Sequence, residues 1–217
     1  MYQHLDPAGI PIDLPVGKIV CVGRNYASHA AELNNPIPDS PLLFIKPSTC
    51  AVALTSPIAL PLDQGEVHHE VELALLVGRT LKGAAPEEVD AAIWGFGVGL
   101  DLTLRDVQAA LKAKGHPWER AKAFDGACPL SPFEPGVIDW REVPIQLFVN
   151  GELRQDGHSR DMLNPVLELI AHMSAVFTLL PGDVIMTGTP AGVGPLRSGD
   201  KLRCLLPGRC DWAAEIR

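Results

Sequence analysis

Two acidic residues separated by one position, Glu70 and Glu72, open an otherwise apolar segment with the composition of a buried strand. Side chains alternate across a strand, so both carboxylates point to one face and Val71 and Leu73 to the other. Like charges this close repel unless a cation lies between them, and hard carboxylate oxygens favour magnesium, manganese or calcium. The pair predicts a divalent metal site, or alternatively a half-exposed strand with two solvated acids. His68 has the same parity and is a competing ligand, although a hard ion does not require imidazole.

A third acidic residue, Asp101, follows a predicted strand over 93–100. The alternation places Gly95, Gly97 and Gly99 on the same face as Asp101. Glycine within a strand permits close approach by a ligand or by another backbone. We therefore expect this bare face to form a pocket wall that ends in a third metal ligand.

A histidine and a glutamate three residues apart, His29 and Glu32, lie in a segment with the composition of a short helix, 27–33. This spacing puts both side chains on one helix face, where the carboxylate can orient the imidazole or share a water with it. A solvated surface pair has the same spacing. The prolines that follow indicate a loop over 34–41 that could close over a site.

Several cationic and amide side chains could bind an anionic substrate. Arg105 and Gln108 are three residues apart on a helix predicted from 103 to 114, so both can face one carboxylate or carbonyl. Lys46 ends a strand and could be either an edge residue or a cation facing the substrate. For Lys122, the sequence leaves an exposed and a substrate-facing position equally open.

Short strands and turns must position these residues, since the chain contains 20 glycines and 20 prolines. Asn150-Gly151 between two strand-like segments predicts a hairpin. Apolar residues at helical spacing predict the longest helix over 161–178. The glycine-rich segment 188–195 exposes backbone N–H groups beside Thr189 and could bind an anion, although a tight turn is the commoner explanation.

Length and composition set the class of protein. A chain of 217 residues with 47% hydrophobic content is long enough for one domain with a substantial core. The net charge of −8 argues against nucleic-acid binding, and no apolar segment approaches the length of a membrane helix. Five scattered cysteines indicate reduced thiols. We expect a soluble, cytoplasmic protein, with residues 1–17 as a lead-in segment.

Taken together, these segments resemble the fumarylacetoacetate hydrolase family, and especially its short members, the acylpyruvate hydrolases and oxaloacetate decarboxylases. The resemblance covers the chain from about Lys18 to its end. The motifs that carry it are Val22-Gly23-Arg24-Asn25-Tyr26, Phe44-Ile45-Lys46-Pro47-Ser48, His68-His69-Glu70-Val71-Glu72-Leu73, Asp101-Leu102-Thr103-Leu104-Arg105-Asp106-Val107-Gln108, Lys122-Ala123-Phe124-Asp125 and Thr187-Gly188-Thr189-Pro190-Ala191-Gly192-Val193-Gly194.

The resemblance implies an α+β, mostly β fold: a mixed, rolled β-sandwich with a few short helices, forming a single catalytic domain over 18–217 and assembling as a homodimer. It implies a metal held by Glu70, Glu72 and Asp101, and a water-activating pair formed by His29 and Glu32. Magnesium suits three carboxylates and several waters, manganese is possible and calcium is less suited, because no acid lies between Val20 and His29 to add a ligand.

The resemblance also implies a small 2-oxo acid as the substrate. It assigns contacts with the substrate to Arg24, Arg105, Gln108, Lys122 and Thr189, and Lys122 is a candidate catalytic residue as well.

We therefore expect an enzyme that cleaves the C–C bond of an acylpyruvate, such as fumarylpyruvate or acetylpyruvate, to pyruvate and a carboxylic acid. In this scheme His29, with Glu32 behind it, deprotonates the attacking water, and pyruvate leaves as an enolate. Two alternatives stay open. One is an oxaloacetate decarboxylase or keto–enol tautomerase on the same site, and the other is a non-catalytic protein that binds metal or dicarboxylates.

Overall fold

The structure is a computed structural model that describes residues 2–61 and 63–217. Within these ranges the chain forms fifteen strands and five α-helices. The strands are β1 (Ile19–Gly23), β2 (Leu42–Lys46), β3 (Ala51–Ala53), β4 (Val67–His69), β5 (Val71–Val77), β6 (Ile93–Leu100), β7 (Thr103–Leu104), β8 (Cys128–Leu130), β9 (Glu134–Pro135), β10 (Pro144–Val149), β11 (Glu152–His158), β12 (Val184–Met186), β13 (Gly194–Pro195), β14 (Lys201–Leu206) and β15 (Cys210–Glu215). The helices are α1 (Ala27–Glu32), α2 (Pro86–Val89), α3 (Arg105–Ala113), α4 (Glu119–Lys122) and α5 (Val166–Val176).

The strands form three curled sheets. The largest has eight strands in the order β2-β1-β12-β5-β6-β8-β3, with β9 paired to β6. The second has four strands, β11-β10-β14-β15, and the third three, β13-β4-β7. Since β1 and β12 run parallel while β5 is antiparallel to both of its neighbours, the large sheet is mixed. This is the mostly β, rolled architecture with few short helices that the resemblance implies.

Strand β5 lies at the centre of the molecule, and all of its residues are buried. Leu73 and Leu75 belong to the main hydrophobic core, where β10 packs against β5. Ala74 and Leu76, on the opposite face, belong to a second core. Because both faces of the strand are covered, the apolar run is continuous rather than alternating.

The N-terminal segment that we expected to be a lead-in covers the outer face of the large sheet. Tyr2, Ile12, Leu14 and Val16 pack against the second hydrophobic core. The turn-rich composition of this segment is therefore compatible with a defined position on the sheet.

The glycines of β6 do not line a pocket, so this part of the prediction is wrong. A Cβ on Gly95 would lie 2.1 Å from the Glu134 carbonyl oxygen, and one on Gly97 would lie 2.6 Å from Ser131 Oγ. A Cβ on Gly99 would meet the Met186 side chain at 2.7 Å. These glycines allow other segments of the chain to approach the strand closely, which is the second role that glycine has in strands.

Other local predictions have mixed outcomes. The Asn150-Gly151 hairpin between β10 and β11 is confirmed, and both turn residues have positive φ, as a tight hairpin turn requires. Helix α5 is the longest but begins five residues later than expected. The helix predicted from 103 begins at Arg105 instead, because Thr103 lies in β7, where its hydroxyl donates to the Asp101 carbonyl.

All five cysteines are free and buried. Among the described helices, none is long and apolar enough to cross a membrane.

Candidate active site

The three predicted carboxylates meet where β5 begins and β6 ends. The antiparallel register pairs Glu72 with Gly99, and two residues further the Asp101 N–H donates to the Glu70 carbonyl at 2.8 Å. Carboxylate oxygens of Glu70, Glu72 and Asp101 lie within 4.8 Å of one another. The three residues are 4%, 1% and 1% exposed, so the alternative of a half-exposed strand with solvated acids is wrong.

Two cations neutralise part of this charge. Arg105 Nη2 lies 2.5 Å from Glu70 Oε1. Lys122 Nζ donates at 2.8, 2.7 and 2.6 Å to Glu70 Oε2, Asp101 Oδ2 and Thr103 Oγ1. An ammonium has three donors, so Lys122 is fully engaged in this structure. The sequence left Lys122 open between an exposed and a substrate-facing position, and the structure buries it among the acids.

The nearby cations leave Glu70 and Glu72 with very different pKa values. Burial raises the pKa of Glu70, but the Lys122 ammonium and the Arg105 guanidinium outweigh it and leave that pKa below its ordinary value. Burial and the neighbouring Asp101 carboxylate raise the pKa of Glu72 well above its ordinary value. Glu72 is the carboxylate that most needs an added cation in order to ionise.

Lys46 lies in neither of the positions left open by the sequence, because it is completely buried. Its ammonium lies 2.8 Å from Asp101 Oδ1 and donates to the backbone carbonyls of Lys122, Ala127 and Leu102. The contact with Asp101 lacks hydrogen-bond geometry, so Oδ1 has no hydrogen-bond donor within the described ranges. Lys46 thus connects the backbone at Leu102, Lys122 and Ala127 and forms an ion pair with Asp101 Oδ1.

The donor set fits a hard divalent cation. All three side chains offer carboxylate oxygens, which magnesium, manganese and calcium prefer over nitrogen or sulfur ligands. Asp101 Oδ1 has an ion-pair contact with Lys46 but no hydrogen bond within the described ranges, and the pKa of Glu72 is raised, so an added cation would stabilise both ionised carboxylates. Glu70, Glu72 and Asp101 could therefore hold a metal.

His68 lies outside this group. It belongs to β4, which pairs with β7 and β13 rather than with β6, so strand parity does not continue from His68 to Glu70. Arg105 Nε lies 3.4 Å from its Nδ1. The competing proposal of an imidazole ligand from His68 is therefore not supported.

The predicted histidine and glutamate meet on α1. His29 is 5% exposed, and its Nδ1 lies 3.6 Å from Glu32 Oε2, which is close for an ion pair but long for a hydrogen bond. Burial lowers the pKa of His29, and the cations Lys122 and Arg105 act in the same direction. Neutral imidazole is the form that can accept a proton.

The glycine-rich segment binds anions, but they are carboxylates of the protein itself. The Gly188 N–H donates to Glu72 Oε2 at 2.7 Å. The Gly192 N–H donates to both carboxylate oxygens of Glu32, at 3.0 and 3.1 Å. The loop therefore connects a candidate metal ligand with the helix that carries His29.

Arg105 and Gln108 face the same place, as their spacing predicts. Arg105 Nη1 donates to Gln108 Oε1 at 2.8 Å, which leaves the amide nitrogen of Gln108 available as a donor. The cavity over the carboxylates is lined by both side chains and also by Arg24, His29, Lys122 and Thr189. All predicted substrate-binding residues thus line one cavity.

Gln155, which was not predicted as a site residue, is completely buried beside this cavity. Its Oε1 accepts from the Val71 N–H and from His69 Nδ1, both at 3.0 Å. Its Nε2 donates to Thr189 Oγ1 and to the Pro190 carbonyl. Its only sequence signal is a polar residue on a predicted strand after a hairpin turn. A solvated residue on an edge strand has the same signal.

Comparison with known proteins identifies the family. The family described as fumarylacetoacetate (FAA) hydrolase C-terminal matches residues 18–216. This chain belongs to the fumarylacetoacetate hydrolase family. The resemblance stated from the sequence motifs is confirmed.

Relatives within the family carry different activities in their names. The chain is 54% identical over 211 residues to oxaloacetate tautomerase YcgM of Escherichia coli, covering 96% of each chain. It is 41% identical to the mitochondrial oxaloacetate decarboxylase of Dictyostelium discoideum, covering 88% of this chain and 89% of the relative. It also superimposes on fumarylpyruvate hydrolase from Pseudomonas aeruginosa in complex with Mn²⁺ and pyruvate, with a TM-score of 0.92, 34% identity and coverage of 99% and 95%.

These family members favour the second of the three functions that the sequence left open. The relative at 54% identity is an oxaloacetate tautomerase, whereas the fumarylpyruvate hydrolase is 34% identical. The alternative of an oxaloacetate tautomerase or decarboxylase is therefore better supported than the acylpyruvate hydrolase that we expected first.

Proposed function

We propose that this chain is a metal-dependent oxaloacetate tautomerase, which interconverts the keto and enol forms of oxaloacetate or of a closely related 2-oxo acid. The observation that carries the proposal is the 54% identity to oxaloacetate tautomerase over 96% of both chains. The buried carboxylates and the neutral imidazole support it, because enolisation needs an electrophile at the oxo group and a base at the adjacent carbon.

In this proposal Glu70, Glu72 and Asp101 hold Mg²⁺, with Mn²⁺ as an alternative and Ca²⁺ as a poorer fit. Three carboxylates and a few waters suit the small octahedral ion. A divalent ion held there polarises the 2-oxo group and stabilises the negative charge that develops on its oxygen.

His29 is the proposed base. Its neutral ring accepts a proton from C3 of the substrate, and the proton then passes to the oxygen at C2, so that one C–H bond breaks and one O–H bond forms. The Glu32 carboxylate, 3.6 Å from Nδ1, stabilises the imidazolium that forms between these two transfers. The Gly192 N–H donates to the same carboxylate and helps to position it beside His29.

Substrate oxygens are bound by Arg24, Arg105, Gln108, Lys122 and Thr189 in this proposal. Gln108 offers its free amide nitrogen. Lys122 can contact the substrate only after it gives up one of its three present acceptors. If Glu70 and Asp101 held a metal, their carboxylates would bind Lys122 less strongly, and its ammonium could turn toward the cavity.

A second candidate is hydrolysis of an acylpyruvate, favoured by the close superposition on the Mn²⁺ and pyruvate complex of fumarylpyruvate hydrolase. There His29 deprotonates a water instead of a carbon. Decarboxylation of oxaloacetate is a third use of the same site. It needs no base at C3, because the C3–C4 bond breaks to release carbon dioxide and its electron pair stays on the substrate as the enolate.

The test compares His29→Ala with His172→Ala, an exposed histidine on α5, in the presence of Mg²⁺ or Mn²⁺. We expect tautomerisation, followed by the ultraviolet absorbance of the enol, to fall about a hundredfold or more in His29→Ala, as loss of a general base does. Decarboxylation should fall much less, and His172→Ala should match the wild type. Wild-type protein that cleaves acylpyruvates but does not tautomerise oxaloacetate would establish the hydrolase instead. Protein with no turnover of any oxo acid under metal would establish the non-catalytic binding protein.

The remaining properties are part of the same proposal. Residues 18–217 form the catalytic domain, the chain assembles as a homodimer as the resemblance implies, and the five buried free thiols suit the reducing cytoplasm. Light scattering of the purified protein tests the dimer directly.

A further inference from the structure

The cavity continues beyond the carboxylates to a second group of polar side chains. Arg24, Asn35 and Lys112 line the cavity together with the three acids. None of these three has a role in the metal site, and the sequence analysis did not single out Asn35 or Lys112. This end of the cavity has a positive charge of its own.

Helix α3 sets the distance between the two ends. Arg105, Gln108 and Lys112 are spaced by three and four residues, so they follow one face of the helix. From Arg105 to Lys112 the helix axis rises about 10 Å. Since Arg105 contacts Glu70 while Lys112 contacts the loop after α1, the helix connects the carboxylate end with the remote end.

The two remote cations have no acidic partner within 4.0 Å among the described residues. Lys112 Nζ donates to Asn35 Oδ1 at 2.7 Å, and Arg24 Nη1 donates to the Pro36 carbonyl at 3.4 Å. Both partners are neutral, and both belong to the loop after α1. A half-buried cation that has only neutral partners is suited to receive an anion.

Lys112 lies near two other cations. Partial burial lowers the pKa of Lys112, and the neighbouring guanidinium groups of Arg24 and Arg105 lower it further. Arg24, Arg105 and Lys112 all line one cavity, and both arginines lie near enough to Lys112 to repel it, although the chain has a net charge of −8. Arg24 is also held at a φ of 58°, a conformation that non-glycine residues rarely adopt.

We propose that Arg24 and Lys112 bind a second carboxylate of the substrate, at the end remote from Glu70, Glu72 and Asp101. The site then selects 2-oxo diacids over 2-oxo monoacids, because a monoacid leaves both cations without a counter-charge. This inference rests on the proposed function for the identity of the reaction, but not for the binding of the diacid itself.

The first experiment measures binding, so that it is independent of turnover. Malate and lactate both offer a 2-hydroxy acid to a metal, and only malate carries a second carboxylate. Calorimetric titrations use Mn²⁺-loaded wild type, Lys112→Met, Arg24→Gln and the control Lys114→Met, which removes an exposed charge two residues further along. We expect the preference for malate over lactate to fall roughly tenfold to a hundredfold in Lys112→Met and in Arg24→Gln, the range for a lost charged hydrogen bond.

The control separates a specific contact from general attraction of anions. If net charge alone attracted malate, Lys114→Met and Lys112→Met would lose the same malate affinity, and the loss would be smaller at high salt. Equal losses in these two variants would overturn the proposal. So would equal weakening of malate and lactate in Lys112→Met, because the remote carboxylate would then make no contact with that residue.

The second experiment repeats the comparison with substrates. Exchange of the C3 protons with deuterium is measured for oxaloacetate and pyruvate, and hydrolysis for fumarylpyruvate and acetylpyruvate. We expect Lys112→Met to reduce kcat/KM more for the diacid than for the monoacid of each pair that the wild type converts, mainly through KM. Malate binding that depends on Lys112 in a protein without oxo-acid turnover would refute the proposed function and leave this site standing. If the wild type turns over oxo acids but Lys112→Met loses kcat/KM equally for diacid and monoacid, the proposed function stands and the remote carboxylate site is refuted.

Discussion

Gln155 Oε1 accepts a hydrogen bond from the Val71 N–H at 3.0 Å, directly between the candidate metal ligands Glu70 and Glu72. This bond joins the four-stranded sheet to the central strand of the large sheet. The same side chain also holds the Thr189 hydroxyl, which in turn donates to the Val71 carbonyl at 2.8 Å. One buried amide thus fixes the backbone from which both glutamates project.

We predict that Gln155→Leu weakens metal binding and destabilises the fold. The substitution leaves the Val71 N–H and His69 Nδ1 without their acceptor in the interior, which costs about 1–3 kcal/mol for each unsatisfied group. Thermal unfolding measures the stability, and Mn²⁺ titration at a temperature where the variant is folded measures the affinity. Gln146→Leu, on neighbouring β10 with a partner at the surface, is the matched control. If Gln155→Leu is destabilised but binds Mn²⁺ with wild-type affinity, the amide has no positioning role at the carboxylates.

We predict that Glu72 releases a proton when metal binds. Burial and Asp101 raise the pKa of Glu72, so this carboxyl retains its proton to a higher pH than an ordinary glutamate and must lose it to become a ligand. Calorimetric titration with Mn²⁺ in two buffers of different ionisation enthalpy measures the number of protons released. Glu72→Gln should abolish the release and most of the affinity, while Glu152→Gln, exposed on β11, should change neither. Wild-type binding without proton release would contradict this account of Glu72.

The pH dependence of the free energy of unfolding tests the raised pKa of Glu72 without any metal. A carboxyl whose pKa is raised in the folded state contributes stability below its unfolded pKa, and that contribution is lost as the pH rises through the folded pKa. Metal-free wild type should therefore lose stability relative to Glu72→Gln as the pH increases. Thermal unfolding across a pH series, with a chelator present, measures the difference.

We predict that activity depends on pH through His29. Burial lowers the pKa of His29 below its ordinary value of 6.5, so the ring is neutral at pH 7 and loses its function as a base only under more acidic conditions. At saturating Mn²⁺, kcat/KM for tautomerisation should decrease as the pH falls through the lowered pKa, at a lower pH than an ordinary histidine would require. Residual activity of His29→Ala should lack this decrease. An identical acidic limb in that variant would assign the titration to another group.

The sequence alone determined the chemistry of the candidate site. Glu70, Glu72 and Asp101 were identifiable because two acids at a spacing of one and a third after a strand are local patterns with a physical meaning. The pairs His29 with Glu32 and Arg105 with Gln108 follow from helical spacing, and the structure brings each pair together. Local periodicity of 2.0 or 3.6 residues was sufficient for these relationships.

Only the tertiary structure decided which residues face one another across elements. The bare glycine face of β6 indicated a wall, but whether a ligand or another backbone approaches it depends on the position of Glu134 and its neighbours in the sheet. Lys46 at the end of a strand and Lys122 in a short helix were both left with two open positions by the sequence. Lys46 reaches Asp101 and Lys122 reaches Glu70 across more than fifty residues of sequence, and no local pattern encodes such contacts.

Gln155 and Lys112 show the same limit for polar residues. A glutamine on a strand and a lysine on a helix are most often solvated, and their local sequence contains nothing that distinguishes them. Gln155 became significant because β11 lies against the loop at Thr189, and Lys112 because α3 lies against the loop after α1. The sequence therefore specified which groups could do chemistry, and long-range packing decided which of them share a cavity, because burial and charge pairing depend on neighbours that are distant along the chain.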